Sequence, residues 1–497
     1  MRTWKKPTSQ KALMWAILVL SPLFVFTQTP EQIAGKWKGA IELPGMKLEL
    51  SIDLSQQEDT WAGTMDIPVQ GVSKMKLAEL AIIDGRISFQ LPEAPGGASF
   101  SGKFEEDVTW VRGDFSQMGQ TFPMALQKES QAEKAAEAAR IAKALEDIRK
   151  LADSLRILQE IPGIGFGIVK DGEVLLAEGF GFRDQEQQLP VSEQTLFAIG
   201  SSSKAFTAAG LAMLADEGKL EWDKPIIEYM PDFKLKDNFA TQEMTAIDLL
   251  THQSGLPRHD LMWYGSPFSR MEIYERLRYL EPNKSFRSAW QYQNLMYMTA
   301  GILTEKLSGQ SWEDFTRERI FQPLGMKNTC YSASEAPRGI TAALPYFKMG
   351  EQVTPIPYRD IASVAPAGAI YSNVEDMLQW VQLHLNKGKA GEQQLLQEAS
   401  MEKLHQAHKV IEGGSPANSP EISSRSYGLG WFVYRYDDLD IVQHGGNIDG
   451  FSALVFLVPK SQLGMVLLTN LNGTALPGIL ANSATDLLLN KEPVDWY

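Results

Sequence analysis

Cysteine is almost missing from the 497 residues: Cys330 stands alone, so no intrachain disulfide can form and packing alone must hold the fold. Its setting, Met326-Lys327-Asn328-Thr329-Cys330, offers no paired histidine and no glycine-rich turn, and reads as a packed small hydrophobe rather than a nucleophile. Positive charge is also in short supply. Lys and Arg number 47 against 61 Asp and Glu, a net charge of −14 with no internal basic tract, which argues against nucleic acid or an anionic membrane surface as a partner. His252 and His259, with Asp248 nearby, match no zinc-ligand spacing, so no metal and no organic cofactor is expected. Long hydrophobic runs are missing except at residues 12–26. That run follows Arg2, Lys5, Lys6 and Lys11, precedes the first acidic residue, Glu31, and contains Ser21 and Pro22. It falls short of the ~20 apolar residues that span a bilayer. Residues 1–28 therefore read as a secretory signal, implying export to a periplasmic or extracellular space; an uncleaved anchor is the alternative, and the only case in which membrane association is expected. The stretch Thr27-Gln28-Thr29 marks no clear cleavage site.

What is present suggests at least two domains, because the chain exceeds the size at which a single core stops growing and its 44% apolar content is that of a globular protein. Apolar residues alternate at Met46, Leu48, Leu50, Ile52 and Leu54, and again at Ile87, Phe89 and Leu91, with turn residues at Asp84-Gly85 and Pro95-Gly96-Gly97. Residues 30–128 are thus predicted to form a small antiparallel β-sheet or barrel. Gly35-Lys36-Trp37 resembles the start of lipocalin-like barrels; an accessory β domain with no pocket of its own is the alternative. Between 128 and 160 the composition turns to Ala, Glu, Lys and Leu, with Ile141, Leu145, Ile148, Leu151, Leu155 and Leu158 at helical spacing. This predicts an amphipathic helix, with 129–144 as a helical linker and a boundary near residue 135. In the remaining segment, 145–490, strand-like runs at both ends (165–169, 174–177, then 430–434, 452–458, 464–469) enclose helical stretches, and a last helix covers 478–489. That order predicts an α+β domain: one sheet assembled from distant segments, covered by helices and joined to an all-helical region. Residues 413–426 read as a surface loop.

The pattern Ser-x-x-Lys occurs at Ser73, Ser201 and Ser400, and context separates the three. Phe197-Ala198-Ile199 reads as a strand, Gly200 as a turn, and the residues after Ser201 as a helix carrying Phe206, Leu211 and Leu214 and ending at Gly218. Positions i and i+3 share a helix face, which sets Lys204 beside the Ser201 hydroxyl, and the helix N-terminus favours developing negative charge. A serine at a helix start is also an ordinary cap; the lysine three residues on favours catalysis. Ser73 lies in the β region and Ser400 in a charged helix without a glycine turn.

A lysine with its reference pKa of about 10.4 is protonated near neutrality, so a second proton carrier is useful beside a serine nucleophile. Tyr292-Gln293-Asn294 supplies a phenol and an amide that can hold both the lysine and a substrate carbonyl. Tyr371-Ser372-Asn373 matches equally by pattern, and the helical run 295–309 after Tyr292 favours the first. His444-Gly445-Gly446-Asn447 follows a strand-like Ile441-Val442. Its glycines would let substrate backbone approach a strand edge, and the Asn447 N–H can pair with that of Ser201 as an oxyanion hole. The alternative is a tight β-turn with a solvent-facing histidine.

In this order, the three elements resemble the serine β-lactamase-related family, in particular its class C and D-alanyl-D-alanine carboxypeptidase-like branch. The resemblance runs over 145–489. It is supported by Thr251-His252-Gln253-Ser254-Gly255-Leu256, Pro323-Leu324-Gly325-Met326, Ala367-Gly368-Ala369 and Tyr427-Gly428-Leu429-Gly430-Trp431, which are similar to linking motifs of the family. It implies a β-lactamase/transpeptidase-like domain, an antiparallel sheet flanked by helices plus an all-helical region, here preceded by the small antiparallel β domain. It further implies Ser201 as the acylated nucleophile, Lys204 as its activator, Tyr292 as proton shuttle, Asn294 as substrate-amide contact, and His444, Gly446 and Asn447 as substrate and oxyanion residues. Lactamases usually carry Lys-Thr-Gly as the third motif; His444-Gly445-Gly446 lacks its fixed charge and hydroxyl. A peptidase or esterase is therefore expected ahead of a β-lactamase, acting on a small-molecule or peptide ester or amide such as a D-amino-acid or cell-wall peptide. A ligand- or peptidoglycan-binding protein that keeps the pocket without turnover is the non-enzymatic alternative. The oligomeric state is left open by the sequence.

Overall fold

The computed structural model describes Met1 and residues 29–58, 60–70, 72–412 and 422–497. The signal read at 1–28, Met1 apart, and residues 413–421 of the loop read at 413–426 lie outside the described residues, while residues 422–426 belong to the strand Ile422–Tyr427 rather than to a loop. The chain divides into two compact units, Met1–Lys134 and Ala135–Tyr497.

In the first unit, period-two alternation produces antiparallel strands in the order Val72–Lys76, Thr60–Ile67, Met46–Gln57, Gly35–Leu43, Gln120–Lys128, Trp110–Gln117, Ala98–Phe104, Arg86–Leu91, Ala78–Ile83. The two outermost strands are consecutive in the chain with only Leu77 between them, and the Leu77 N–H donates to the Gly63 carbonyl at 2.9 Å. The sheet therefore closes on itself as a barrel. Side chains fill its interior: Trp37, Ile52, Met65, Phe89, Phe100 and Leu126 are all buried.

The helix Gln131–Leu158 runs unbroken through residue 144, because the apolar face begun at Ile141 continues at Ile148 and Leu155. Within the second unit its residues Ala144, Ile148, Ala152 and Leu155 join a core with the C-terminal helix Leu476–Leu488 and one face of a second antiparallel sheet. That sheet has the order Leu189–Pro190, Glu173–Asp184, Gly163–Lys170, Leu463–Thr469, Phe451–Val458, Leu439–Ile448, Phe432–Tyr436, Ile422–Tyr427, Lys409–Val410. Strands from the two ends of the unit meet where Gly163–Lys170 pairs with Leu463–Thr469. Phe451–Val458 and Leu463–Thr469 are buried at every position, as expected of central strands covered on both faces.

The second core contains the helical region. Its helix Ser203–Asp216 is buried on all sides from Ser203 to Leu214, and Phe206 stacks on Trp380 of the helix Val374–Leu385 at 3.9 Å. The helix Asn294–Ser308 is capped by the Gln293 side chain, which accepts from the Leu295 N–H, and stops at Gly309 in the left-handed conformation. Both helices begin at motif residues. The expected helix starts after Ser201 and Tyr292 are thus where the functional side chains enter the structure.

Candidate active site

Ser201 sits in the single turn Gly200–Ser202 that joins the short strand Phe197–Ala198 to the helix Ser203–Asp216. The Ile199 N–H donates to the Ile370 carbonyl at 2.9 Å, and Ser202 Oγ donates to the His444 carbonyl at 2.9 Å, tying the turn to its neighbours. The strand Leu439–Ile448 presses so closely that a Cβ on Gly446 would lie 1.8 Å from the Ile199 carbonyl oxygen. A Cβ on Gly200, which has φ of +50°, would lie 2.8 Å from the Asn447 nitrogen. The two glycines are required by this approach, and it brings the Asn447 backbone against the nucleophile turn.

Lys204 lies one helical turn beyond Ser201 and is completely buried. Its Nζ stands 3.0 Å from Ser201 Oγ, 2.8 Å from Asn294 Oδ1 and 2.8 Å from the Ala367 carbonyl oxygen. Burial, reinforced by the Arg258 cation and opposed by Asp260, holds its pKa well below the usual lysine value. A neutral amine has two hydrogens and one lone pair. With Asn294 and Ala367 accepting both hydrogens, the lone pair is left for the Ser201 hydroxyl to donate into.

Tyr292 is placed by its neighbours. The Gln293 N–H donates to His252 Nδ1 at 3.1 Å, the Gln291 N–H to the His252 carbonyl at 2.9 Å, and Gln293 Nε2 to the Pro257 carbonyl at 2.5 Å. Burial raises the Tyr292 phenol's pKa above the ordinary tyrosine value, and the neighbouring Ser201 side chain works against that rise. Lys204 Nζ lies 4.8 Å from the Tyr292 ring centre. Serine, lysine and phenol therefore form one connected group.

The third motif is not a turn. His444, Gly445, Gly446 and Asn447 are consecutive strand residues paired with Phe451–Val458, and the two-residue turn comes later, at Asp449-Gly450. His444 is 1% exposed, its Nε2 is 2.8 Å from the Tyr427 hydroxyl, and burial pushes its pKa down to about 3. The sequence grouped His444 with the substrate-contacting residues; in the structure its buried ring packs behind Tyr292, with ring centres 6.4 Å apart. The reason is the strand's alternation, which turns position 444 into the aromatic packing of Tyr427 and Phe432. Asn447 does line the cavity, and its side chain is anchored by Ser452 Oγ at 2.6 Å and the Gly473 N–H at 3.1 Å.

The cavity at Ser201 has a volume of about 30 Å³ and is walled by Trp263, Asn294, Ile361, Val364, Asn447 and Ile448 among others. Sequence reasoning missed four of its supporting groups: Ala367 as a lysine acceptor, Trp263 as a wall, and the Arg258–Asp260 ion pair beside Tyr292. Only Ala367 had a sequence signal, as part of a linking stretch. The competing matches have other duties. Ser400 Oγ donates to Asp216 at 2.5 Å, Ser73 falls within the strand Val72–Lys76, and Asn373 caps the helix Val374–Leu385. Asp248 is engaged by Arg287 and Thr245, and among the described residues no group of three or more His, Cys, Asp or Glu is placed to hold a metal ion.

The family model described as Beta-lactamase matches residues 147–489. The chain belongs to the β-lactamase family. This β-lactamase-family chain is 32% identical over 359 residues to an unguisins hydrolase from Aspergillus campestris, a match covering 68% of this chain and 64% of the relative. It is 26% identical over 343 residues to protein flp of Staphylococcus aureus, covering 67% of this chain and 64% of that protein. The chain thus matches less than two thirds of the length of either relative. Among solved structures, an octameric penicillin-binding protein homologue from Pyrococcus abyssi aligns with a TM-score of 0.60 at 26% identity, over 70% of this chain and 78% of that one. A D-amino acid amidase from Ochrobactrum anthropi SV3 aligns with a TM-score of 0.57 at 22% identity, over 69% and 97%, a likeness of fold. The β-lactamase/transpeptidase-like fold expected from the three motifs is the fold found.

Proposed function

We propose that this chain is a serine hydrolase that acts on an ester or amide through an acyl-enzyme on Ser201. The observation that carries the reading is the buried Lys204 amine, 3.0 Å from Ser201 Oγ with its other two contacts both acceptors. Ser201 Oγ attacks the carbonyl carbon while its proton passes to Lys204. Tyr292, kept protonated by burial, gives its proton to the leaving group as the C–N or C–O bond breaks and takes the serine's proton from the Lys204 ammonium in its place, and water then releases the acyl group by the reverse path. The Ser201 and Asn447 backbone N–H groups hold the oxyanion in this scheme. The likeness to an unguisins hydrolase of Aspergillus campestris supports the class of reaction. A D-amino-acid or cell-wall peptide, or a small ester, ranks ahead of a β-lactam, because the position usually filled by a charged lysine holds a neutral, buried His444.

Turnover of a panel of p-nitrophenyl esters, D-amino-acid amides and a chromogenic cephalosporin tests this reading. Multiple turnover on an ester or amide supports it. A single stoichiometric burst with no regeneration of free serine points to a binding protein instead. Export, with the 1–28 segment as the cleaved signal, is proposed on the arrangement of charge and apolar residues there; the N-terminal sequence of the mature protein from cell fractions tests it.

A further inference from the structure

The strand Leu439–Ile448 has two faces, and the acyl-transfer scheme uses one of them. His444 and Gly446 are turned toward Tyr292 and the nucleophile turn. The alternate positions, Gln443, Gly445 and Asn447, line a second cavity, of about 270 Å³, on the reverse of the sheet. Directly across the register stand Phe456, Leu454 and Ser452, which line it too. The C-terminal helix Leu476–Leu488 adds a further wall through Gly478 and Asn482.

Two glycines keep this space open. A Cβ on Gly445 would meet nothing nearer than the Ala453 carbonyl oxygen at 3.5 Å, and one on Gly478 would meet nothing within 4 Å. Glycine weakens a helix relative to alanine, so Gly478 carries a cost that the packing of the chain does not require. The walls also hold two unmet polar atoms, one from the strand and one from the helix. Gln443 Oε1 and Asn482 Oδ1 are sealed from solvent and, among the described residues, have no hydrogen-bond partner. Buried amide oxygens are nearly always paired, and the terminal torsion of either side chain is broad enough to turn its amide toward a ligand in the cavity. The neighbouring Asn447 amide is already engaged, since its Oδ1 accepts from Ser452 Oγ at 2.6 Å and from the Gly473 N–H at 3.1 Å.

These features select the chemistry of the ligand. A hydroxyl both donates and accepts, so it satisfies the Gln443 and Asn482 amides whichever way round each is turned. No lining side chain carries a formal charge, which favours a neutral molecule, and Tyr434, Leu454 and Phe456 supply apolar surface for the C–H face of a ring. The volume falls just short of the ~300 Å³ at which pockets for drug-sized ligands begin, which suits a single ring.

We propose that this cavity is a binding site for a neutral polyhydroxylated ring of the hexopyranose kind, with Gln443 and Asn482 as its hydrogen-bonding residues. The site is separate from the one at Ser201 and does not depend on the acyl-transfer reading.

Ligand-observed NMR and calorimetric titration test it, with methyl β-D-glucopyranoside, methyl β-D-galactopyranoside, methyl α-D-mannopyranoside and myo-inositol as neutral probes and D-glucuronate as the charged control. The proteins are wild type, Ser201→Ala, Asn482→Leu, Gln443→Leu and Gly478→Leu, each with a melting curve; leucine at 478 fills the cavity from a helix position where its Cβ has room. The expected result is a Kd of about 10 mM or tighter for at least one neutral probe, and weaker binding of glucuronate. Binding should fall at least about tenfold in Asn482→Leu and in Gly478→Leu, and stay within about twofold of wild type in Ser201→Ala. Failure of all four neutral probes to bind at about 50 mM overturns the proposal, as does tighter binding of glucuronate than of any neutral probe. Unchanged binding in a folded Gly478→Leu protein overturns it as well, because the sugar then lies elsewhere.

Discussion

Lys204 Nζ and Ser201 Oγ are 3.0 Å apart at the start of one helix, and the amine's remaining contacts are both oxygen acceptors, Asn294 Oδ1 and the Ala367 carbonyl. A buried ammonium in that position is costly, because three partial charges replace its hydration shell without a bonded carboxylate. The arrangement favours the neutral amine, which is the form able to take a proton from serine. Replacing Lys204 with methionine removes the base and the desolvation cost together. The expected outcome is a fall in the labelling rate of Ser201 of about 10²- to 10⁴-fold with no loss of thermal stability. Labelling kinetics beside a melting curve check both halves.

The pH dependence follows from the same group. Lys204 must be neutral, and its pKa is held well below the ordinary lysine value by burial and Arg258, so kcat/KM rises with pH through that lowered pKa and then levels. Tyr292 titrates above the usual tyrosine range and adds no alkaline fall near neutrality. Tyr292→Phe should lower the plateau and leave the acid limb nearly in place. Arg258→Met removes a neighbouring cation, which raises the lysine pKa and moves the acid limb to higher pH. A pH–rate profile of each variant on one neutral ester measures this, and a limb that moves the other way contradicts the electrostatic account.

Two adjacent glycines should respond very differently to alanine. A Cβ at Gly446 meets the Ile199 carbonyl oxygen at 1.8 Å and the Ser201 nitrogen at 2.9 Å, whereas one at Gly445 meets nothing nearer than the Ala453 carbonyl oxygen at 3.5 Å. Gly446→Ala must push the strand off the nucleophile turn, and a loss of labelling of at least about 10²-fold is expected. Gly445→Ala should change stability by about 1 kcal/mol or less. Urea melts and labelling rates of the pair report the contrast.

Much of this was legible in the chain. The serine-lysine pair could be placed because a helix has a fixed three-residue face, and the strand–glycine–helix context around Ser201 distinguished it from Ser73 and Ser400. The alternation from Met46 to Leu54 gave the antiparallel strands, although barrel closure depends on Leu77 joining two outer strands, a feature with no pattern of its own. The setting of His444 was open for a definite reason: two glycines read equally well as a turn or as a strand pressed against another backbone, and only the register with Phe451–Val458 decides for the strand. Arg258 and Asp260 carried no signal, since their roles arise from a loop brought to Tyr292 by Gln293 and His252.

Acid should destabilise the protein sharply. His384 Nδ1 and His405 Nε2 are 2.8 Å apart beneath Trp380 and Trp431, and burial lowers His384 well below its ordinary pKa and His405 to about 4. His252 is likewise lowered, and His444 falls to about 3. These rings are neutral when folded and take up protons when unfolded, so their contribution is complete above about pH 6.5 and is lost as pH falls toward 4 and then 3. Unfolding at pH 5 should bind about four more protons than at pH 8 through these histidines. Denaturant melts across this range check the slope, and stability that stays flat from pH 8 to 4.5 contradicts it.

The most direct test of the central claim is intact-mass measurement of wild type and Ser201→Ala after exposure to a fluorophosphonate. The account predicts one adduct on wild type, located by peptide mapping at Ser201, and none on the variant. Labelling that persists in Ser201→Ala, or an adduct on any other residue, would contradict it.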